Sequence, residues 1–514
     1  MKKSLFRSLF TVSAFTFLSR IMGLVRDIVF ASFFGASLYM DAFSVAFRIP
    51  NLFRRFFGEG AFNQAFVPVF SEYRIKKERA ELKLFLAEIS GTLGIVLLLI
   101  AVVGVLASPL VVMLFASGFM SDAYVFEITN NLLKWMLPYL FFICMTAMYS
   151  STLNALDKFA VPAGVPILLN ICLIGGAFLS SLADEPIYVL GYAVFLAGIV
   201  QLLTVFYAVY REGLIARPRV AFKSKGVRTV MFLMIPAIIG SSSSQINILI
   251  NTQLASRLET GSITWLYYSD RLVEFAIGTF AVALGTVVLP RLSQLNAKED
   301  YKSLGQTIDW GLTLALVIGL PATIALVILA EPLLALLFMR GAFTVNDVMM
   351  ASRSLVTYAL SIPAFFLIRV LAPVFFSRQD TKTPVKYSLI AIATNIILQF
   401  ILVQHLQHAG LALSSAIAAW VNAGLLMMGI VSQGIHNFSG LMRFRSLAIL
   451  PANLLLIAGL MWVASFSAFW FEAGLMMRFG VMMGVVVVAV VGYFVLIHLS
   501  GLKLQTLKEP DRFI

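Results

Sequence analysis

Apolar runs of about twenty residues follow one another along almost the whole chain, joined by loops too short to hold a soluble domain. A run of that length crosses the hydrocarbon core of a bilayer as a helix. The sequence therefore predicts an all-α polytopic membrane protein. It has about fourteen spans, centred near Phe17, Phe53, Leu97, Tyr139, Ile171, Phe195, Ile248, Phe280, Ile318, Ala364, Ile397, Ala419, Leu456 and Val487. Composition agrees. Only 12% of the 514 residues are charged, against about 25% in soluble domains.

The longest polar segments, residues 71–83 and 211–228, are loop-sized. Cys144 and Cys172 sit inside apolar runs, away from any metal or redox spacing, and read as small core hydrophobes. The start, Met-Lys-Lys before an apolar run, resembles a signal peptide. Arg20 and Arg26 interrupt that run and no cleavage pattern follows, so it is expected to remain as the first span. The net charge of +13 is not a nucleic-acid footprint, because much of it lies in short alternate loops. One side carries Arg74, Lys76, Lys77, Arg79 and Lys83, then Arg211, Arg217, Arg219, Lys223, Lys225 and Arg228, and later Arg378, Lys382 and Lys386. The other carries Asp122, Glu127, Asp184 and Glu185. Positive loops stay inside, so both termini are expected in the cytoplasm.

The chain also repeats itself. Residues 66–71 (Phe-Val-Pro-Val-Phe-Ser) match 288–293 (Val-Leu-Pro-Arg-Leu-Ser), an offset of 290 − 68 = 222 between the prolines. Ser108-Pro109-Leu110 with Gly118 matches Glu331-Pro332-Leu333 with Gly341, and the Leu156-Asp157 to Pro162 stretch matches Gln379-Asp380 to Pro384. Asp41-Ala42-Phe43 pairs loosely with Asp270-Arg271-Leu272, which leaves about seven extra residues near 54–60 in the first copy. Six spans per copy make the repeats parallel, and such folds hold substrate between lobes that open alternately. The expected division is 1–218 for the first lobe, 219–438 for the second, and 439–514 for two further helices.

Several spans hold charges that a bilayer penalises. Arg20, Arg26, Asp27, Asp41, Arg48, Arg54, Arg55 and Glu59 crowd the first two, and Asp270, Arg271 and Glu274 the eighth. An Arg, Lys or Asp at mid-membrane costs roughly 2.5–3.5 kcal/mol on insertion scales. Such residues persist where they pair with one another or face a polar interior. The excess of arginine, whose planar fork fits phosphate, points to an anionic ligand. Asp41, Glu59 and Asp270 would orient arginines or act as gate partners. Asn395 and Gln399, one turn apart, could contact an ion or a sugar, or simply join helices. Ser241–Ser244 could form a flexible gate or a close-packing stretch. His405 and His408 have no carboxylate company, which is weak grounds for a metal. No phosphate-binding Gly-x-x-x-x-Gly-Lys motif and no nucleophile–base set is present, so neither ATP hydrolysis nor covalent catalysis is expected.

Taken together, Ser19-Arg20-x-x-Gly-x-x-Arg26-Asp27, Asp41-Ala42-Phe43, Pro50-Asn51-Leu52-x-Arg54-Arg55, Glu59-Gly60-Ala61-Phe62, Tyr268-x-Asp270-Arg271-Leu272 and Ser377-Arg378-Gln379-Asp380 resemble the MurJ (MviN) family of lipid II flippases, within the multidrug/oligosaccharidyl-lipid/polysaccharide exporter superfamily. The resemblance covers essentially the whole chain. It implies two six-helix lobes plus two C-terminal helices that border a groove for the polyprenyl tail. It also implies transfer of undecaprenyl-pyrophosphate-linked disaccharide pentapeptide to the outer leaflet of the bacterial inner membrane, without a cofactor, by a monomer that meets membrane lipids and cell-wall synthesis proteins. Arg20, Arg26 and Arg271 match the family's cavity arginines. Ser19, Asp41, Arg54, Arg55, Glu59 and Asp270 fall within motifs tied to substrate handling and gating. Some members are proposed to bind sodium through an acidic residue one turn after an Asn. Here Asn395 is followed by Gln399, with no carboxylate, which counts against a sodium site; the membrane potential, an ion gradient or the substrate gradient must drive transport. The alternatives are another polyprenyl-diphosphate-glycan exporter of the same superfamily, a multidrug-type antiporter, which would favour carboxylates over arginines, and a non-transporting scaffold, which would tolerate loss of Arg20, Arg26 or Arg271.

Overall fold

The computed structural model describes residues 2–54, 61–438, 449–502 and Leu507. Among the described residues the chain forms helices and turns, with no strand. It divides into two compact units, 1–261 and 262–514. The first contains α1 (Lys2–Phe34), α2 (Leu38–Arg54), α3 (Ala61–Lys76), α4 (Arg79–Leu106), α5 (Ser108–Phe115), α6 (Ala123–Met136), α7 (Tyr139–Ala155), α8 (Ala160–Leu179), α9 (Pro186–Arg211) and α10 (Lys225–Ala255). The second contains α11 (Ser262–Ala276), α12 (Val282–Ala297), α13 (Tyr301–Ile328), α14 (Ala330–Phe338), α15 (Val345–Ala359), α16 (Ile362–Ser377), α17 (Lys382–Ser432), α18 (Ile449–Ala464), α19 (Ser467–Glu472) and α20 (Leu475–Leu499).

Helix boundaries carry the repeat. Helices α4 and α13 are both 28 residues long, and their starts lie 301 − 79 = 222 residues apart. Each is followed by a short helix, α5 or α14, and then by a broken pair, α6–α7 or α15–α16. The turn after each broken pair uses a left-handed residue, Asp157 (φ 62°) in one copy and Gln379 (φ 61°) in the other. The same register sets α10 against α1, α11 against α2 and α12 against α3. It also corrects one expectation. Asp41 is the fourth residue of α2, whereas Asp270 is the ninth of α11, so they are not equivalent and Arg48 is the nearer counterpart of Asp270. The motif pairing failed because short charged tripeptides recur by chance more readily than proline-anchored runs.

All fourteen expected centres fall in helical segments. Among the described residues eight segments are long and apolar enough to span a bilayer by themselves, one of them the 51-residue α17. Gln407 (φ 50°) breaks α17 into two membrane-length arms at the turn expected near residues 404–410. The remaining expected spans carry the charges noted above, a serine run in α10 or a backbone interruption, or, as in the 16-residue α18, are apolar but shorter. α2 has Pro50 inside it, and a π-turn at Ile277–Ala281 joins α11 to α12.

Lipid provides no hydrophobic drive between helices, so packing rests on small residues and polar bonds. In the first unit a methyl group on Gly198 would lie 2.8 Å from the Tyr139 ring, which fixes how closely α9 meets α7. In the second, Gly311 of α13 admits Val370 of α16 in the same way, at 2.9 Å. Helices α18 and α20 pack beside α13 through Val317, Ile449, Ala452, Tyr493 and Ile497. Trp470 is buried, and its indole N–H donates to the Val463 carbonyl at 3.0 Å. The helix that begins the second sequence copy, α10, packs on α3 and α4 within the first unit.

Candidate functional site

In the first unit Arg26 and Asp27 of α1 neutralise each other. Arg26 is only 7% exposed and Asp27 1%. The Arg26 guanidinium bonds the adjacent Asp27 carboxylate through Nη2 at 2.7 Å and Nε at 3.0 Å. Its Nη1 donates to Asn170 Oδ1 on α8 at 3.1 Å, and the Phe30 ring lies 5.8 Å away. Asn170 in turn donates to the Ser19 carbonyl at 3.4 Å. A buried ion pair survives only when such extra hydrogen bonds offset desolvation. Arg20, one turn and a half earlier, is exposed.

Helix α2 supplies Asp41, Arg48 and Arg54. Asp41 is buried, and its Oδ2 accepts from the Gly261 N–H at 2.7 Å. Arg48 donates to Thr252 Oγ1 at 2.6 Å, and Arg54 to Asn51 Oδ1 at 2.8 Å. Arg55 and Glu59 lie outside the described residues, as does most of the segment expected to line the site. Side chains of Ser241–Ser244 are likewise not described.

In the second unit Asp270 and Arg271 stand on α11. Arg271 pairs loosely with Glu274 at 3.6 Å and lies 5.9 Å from the Tyr267 ring. The Tyr358 hydroxyl of α15 stands near Asp270. The π-turn follows within one turn of Glu274; such turns often mark functional positions in helices. Asn395 and Gln399 are both buried on α17. His408 is buried with Nδ1 against Ser354 Oγ at 2.6 Å, a packing role. Among the described residues no cluster of three or more His, Cys, Asp or Glu could hold a metal. Cys144 and Cys172 are free thiols.

Reading the sequence did not find Asn170, Thr252, Gly261 or Tyr358 as partners. Asn170 had a usable signal, a lone amide within the apolar α8 run. A hydroxyl such as Thr252 or Tyr358 stands out from no pattern, because it becomes a partner only when another helix brings a charge to it.

The fold and these charges define a class: a helical, multi-pass membrane protein built on a repeated pattern of helices, with arginine and carboxylate groups inside them. The family profile described as lipid II flippase MurJ matches residues 30–486. A Vibrio cholerae protein named "Probable lipid II flippase MurJ" is 40% identical over 516 residues, covering 99% of this chain and 98% of that one. A solved structure described as "Lipid II flippase MurJ, inward closed conformation" superposes with a TM-score of 0.76 at 26% identity, covering 94% of this chain and 97% of that one. An inward-facing multidrug resistance MATE family transporter of the MOP superfamily shares the fold at TM-score 0.64 and 14% identity, covering 82% of this chain and 98% of that one. This chain belongs to the MurJ family of lipid II flippases.

Proposed function

We propose that this chain flips lipid II, the undecaprenyl-pyrophosphate disaccharide pentapeptide, from the cytoplasmic to the outer leaflet of the bacterial inner membrane by alternating access. The observation that carries this reading is family membership over nearly the full chain, with 40% identity to a protein of that name. Charge supports it. A diphosphate crossing a low-dielectric core needs compensating cations, and Arg20, Arg26, Arg54, Arg55 and Arg271 are of the matching sign. In this reading they contact the diphosphate during the transport cycle, while Ser19, Asp41, Glu59 and Asp270 hold them or gate access. A multidrug antiporter exporting cations would need the opposite sign.

The work is transport rather than catalysis. Both termini lie in the cytoplasm on this reading, as the loop charges require. An interior-negative potential then pushes an anion outward, by about 2.3 kcal/mol per charge per 100 mV. That potential is the driving force we assign, without a cofactor. Asn395 and Gln399 contribute interhelical contacts rather than a sodium site. The working unit is a monomer, with 219–438 as the second lobe and 439–514 guiding the lipid tail. Purified protein in vesicles carrying lipid II tests this. Accessibility of lipid II at the far leaflet should rise under an imposed potential and be insensitive to a sodium gradient. Dependence on sodium alone would refute the energy source, and no protein-dependent change in accessibility would refute the function.

A further inference from the structure

The strap between α9 and α10 lies across α4 where that helix turns from charged to apolar. Residues 89–106 of α4 carry no charge, whereas Arg79, Glu81, Lys83 and Glu88 precede them. Eighteen helical residues rise about 27 Å, the depth of a hydrocarbon core. The strap is seated at the start of that stretch. The Arg219 N–H donates to the Ala87 carbonyl at 2.9 Å, the Ala221 N–H to Thr92 Oγ1 at 2.9 Å, and Ser224 Oγ bonds Glu88. Gly91 makes the seat. A Cβ there would stand 2.5 Å from the Arg219 backbone, so only glycine lets the two chains touch.

What the strap presents outward is unusual. Val220 and Phe222 are 54% and 55% exposed, and Arg217, Arg219, Lys223 and Lys225 beside them are exposed as well. Among the described residues none of these four cations makes an ion pair. The strap's own carboxylate, Glu212, is taken by Lys158 at 3.4 Å. Exposed Tyr207 and Tyr210 at the end of α9 mark the same interfacial level. Orientation of the chain requires only that charge be on this side. It requires neither apolar side chains among the cations nor a glycine slot holding them at one depth.

We propose that residues 217–225 bind anionic phospholipid headgroups, with the guanidinium and ammonium groups on the phosphates and Val220 and Phe222 in the acyl boundary. The leaflet concerned, the cytoplasmic one, rests on the orientation proposed above; the binding itself does not. The full chain in nanodiscs tests it. A bimane label on V220C, in a C144A/C172A background, reports quenching by brominated lipid in a mixture of phosphatidylglycerol and phosphatidylcholine. Brominated phosphatidylglycerol should quench at least about twofold more than brominated phosphatidylcholine, and R217Q/R219Q/K223Q/K225Q should bring the ratio to one while both still quench. No quenching by either lipid, equal quenching before neutralisation, or a preference that survives it would overturn the proposal. Displacement of brominated phosphatidylglycerol by trace undecaprenyl diphosphate would also overturn it, by assigning the surface to substrate. None of these readouts depends on flipping, so failure here leaves the transport reading intact.

Discussion

The Asp41 carboxylate of α2 holds the backbone N–H of Gly261, in the turn that follows α10, at 2.7 Å. Gly261 takes φ 96°, a conformation other residues resist, so this turn is built around the contact. The neighbouring Arg48–Thr252 and Gly118–Ser256 bonds tie the same end of α10 within the first unit. D41A strands a buried donor and should cost roughly 1–3 kcal/mol, lowering the thermal midpoint in detergent. D41N keeps an acceptor oxygen and should lose less. Equal midpoints for all three proteins would show that the contact is idle.

Arg26 and Asp27 separate stability from function. Removing one member of a buried pair typically costs about 3–5 kcal/mol, while replacing both with apolar groups costs little. D27A should therefore unfold well below the parent, and R26M/D27L should recover most of that loss. The double variant should still fail to move lipid II, because the cation is gone. Recovery of transport along with stability would make the pair structural only.

Gly118 of the α5–α6 connection touches backbone. A Cβ there would lie 2.1 Å from the Ser256 carbonyl oxygen, with no flexible side chain to yield. G118A should destabilise by about 1–3 kcal/mol. G459A on α18, where nothing stands within 4 Å, is the control and should be neutral or slightly stabilising.

Two loop carboxylates set an acid limb. The Ser303 hydroxyl and N–H hold the Asp300 carboxyl below its ordinary range at the start of α13, and Thr383 does the same for Asp380 before α17. A carboxyl with a depressed folded pKa adds stability above its unfolded pKa and loses it as pH falls through the folded value. Thermal midpoints should therefore drop as pH falls below about 4, and D300N/D380N should flatten that limb. An unchanged acid profile would mean that other groups set it.

Spans and repeat were legible because each rests on many residues: long apolar windows and proline-anchored matches. The 222-residue offset from Pro68 to Pro290 reappears in the starts of α4 and α13. Partners were not legible. Arg26 meets Asn170 from 144 residues away, and no local pattern announces a contact that only tertiary packing makes. Nor could the sequence place α10. It opens the second copy by register yet packs in the first unit, because its polar groups, Thr252 and Ser256 among them, answer donors on α2 and the α5–α6 connection.

Transport of lipid II by charge variants tests the central claim most directly. R20A, R26A and R271A, each reconstituted at the parent's density, should show no more lipid II at the outer leaflet than empty vesicles. Under the same potential the parent should show transfer. The Arg271 side chain is 35% exposed and its contact with Glu274 is long, at 3.6 Å, so its variant should stay folded and still fail. Parental transport by folded R271A would contradict the assignment of these arginines to the diphosphate.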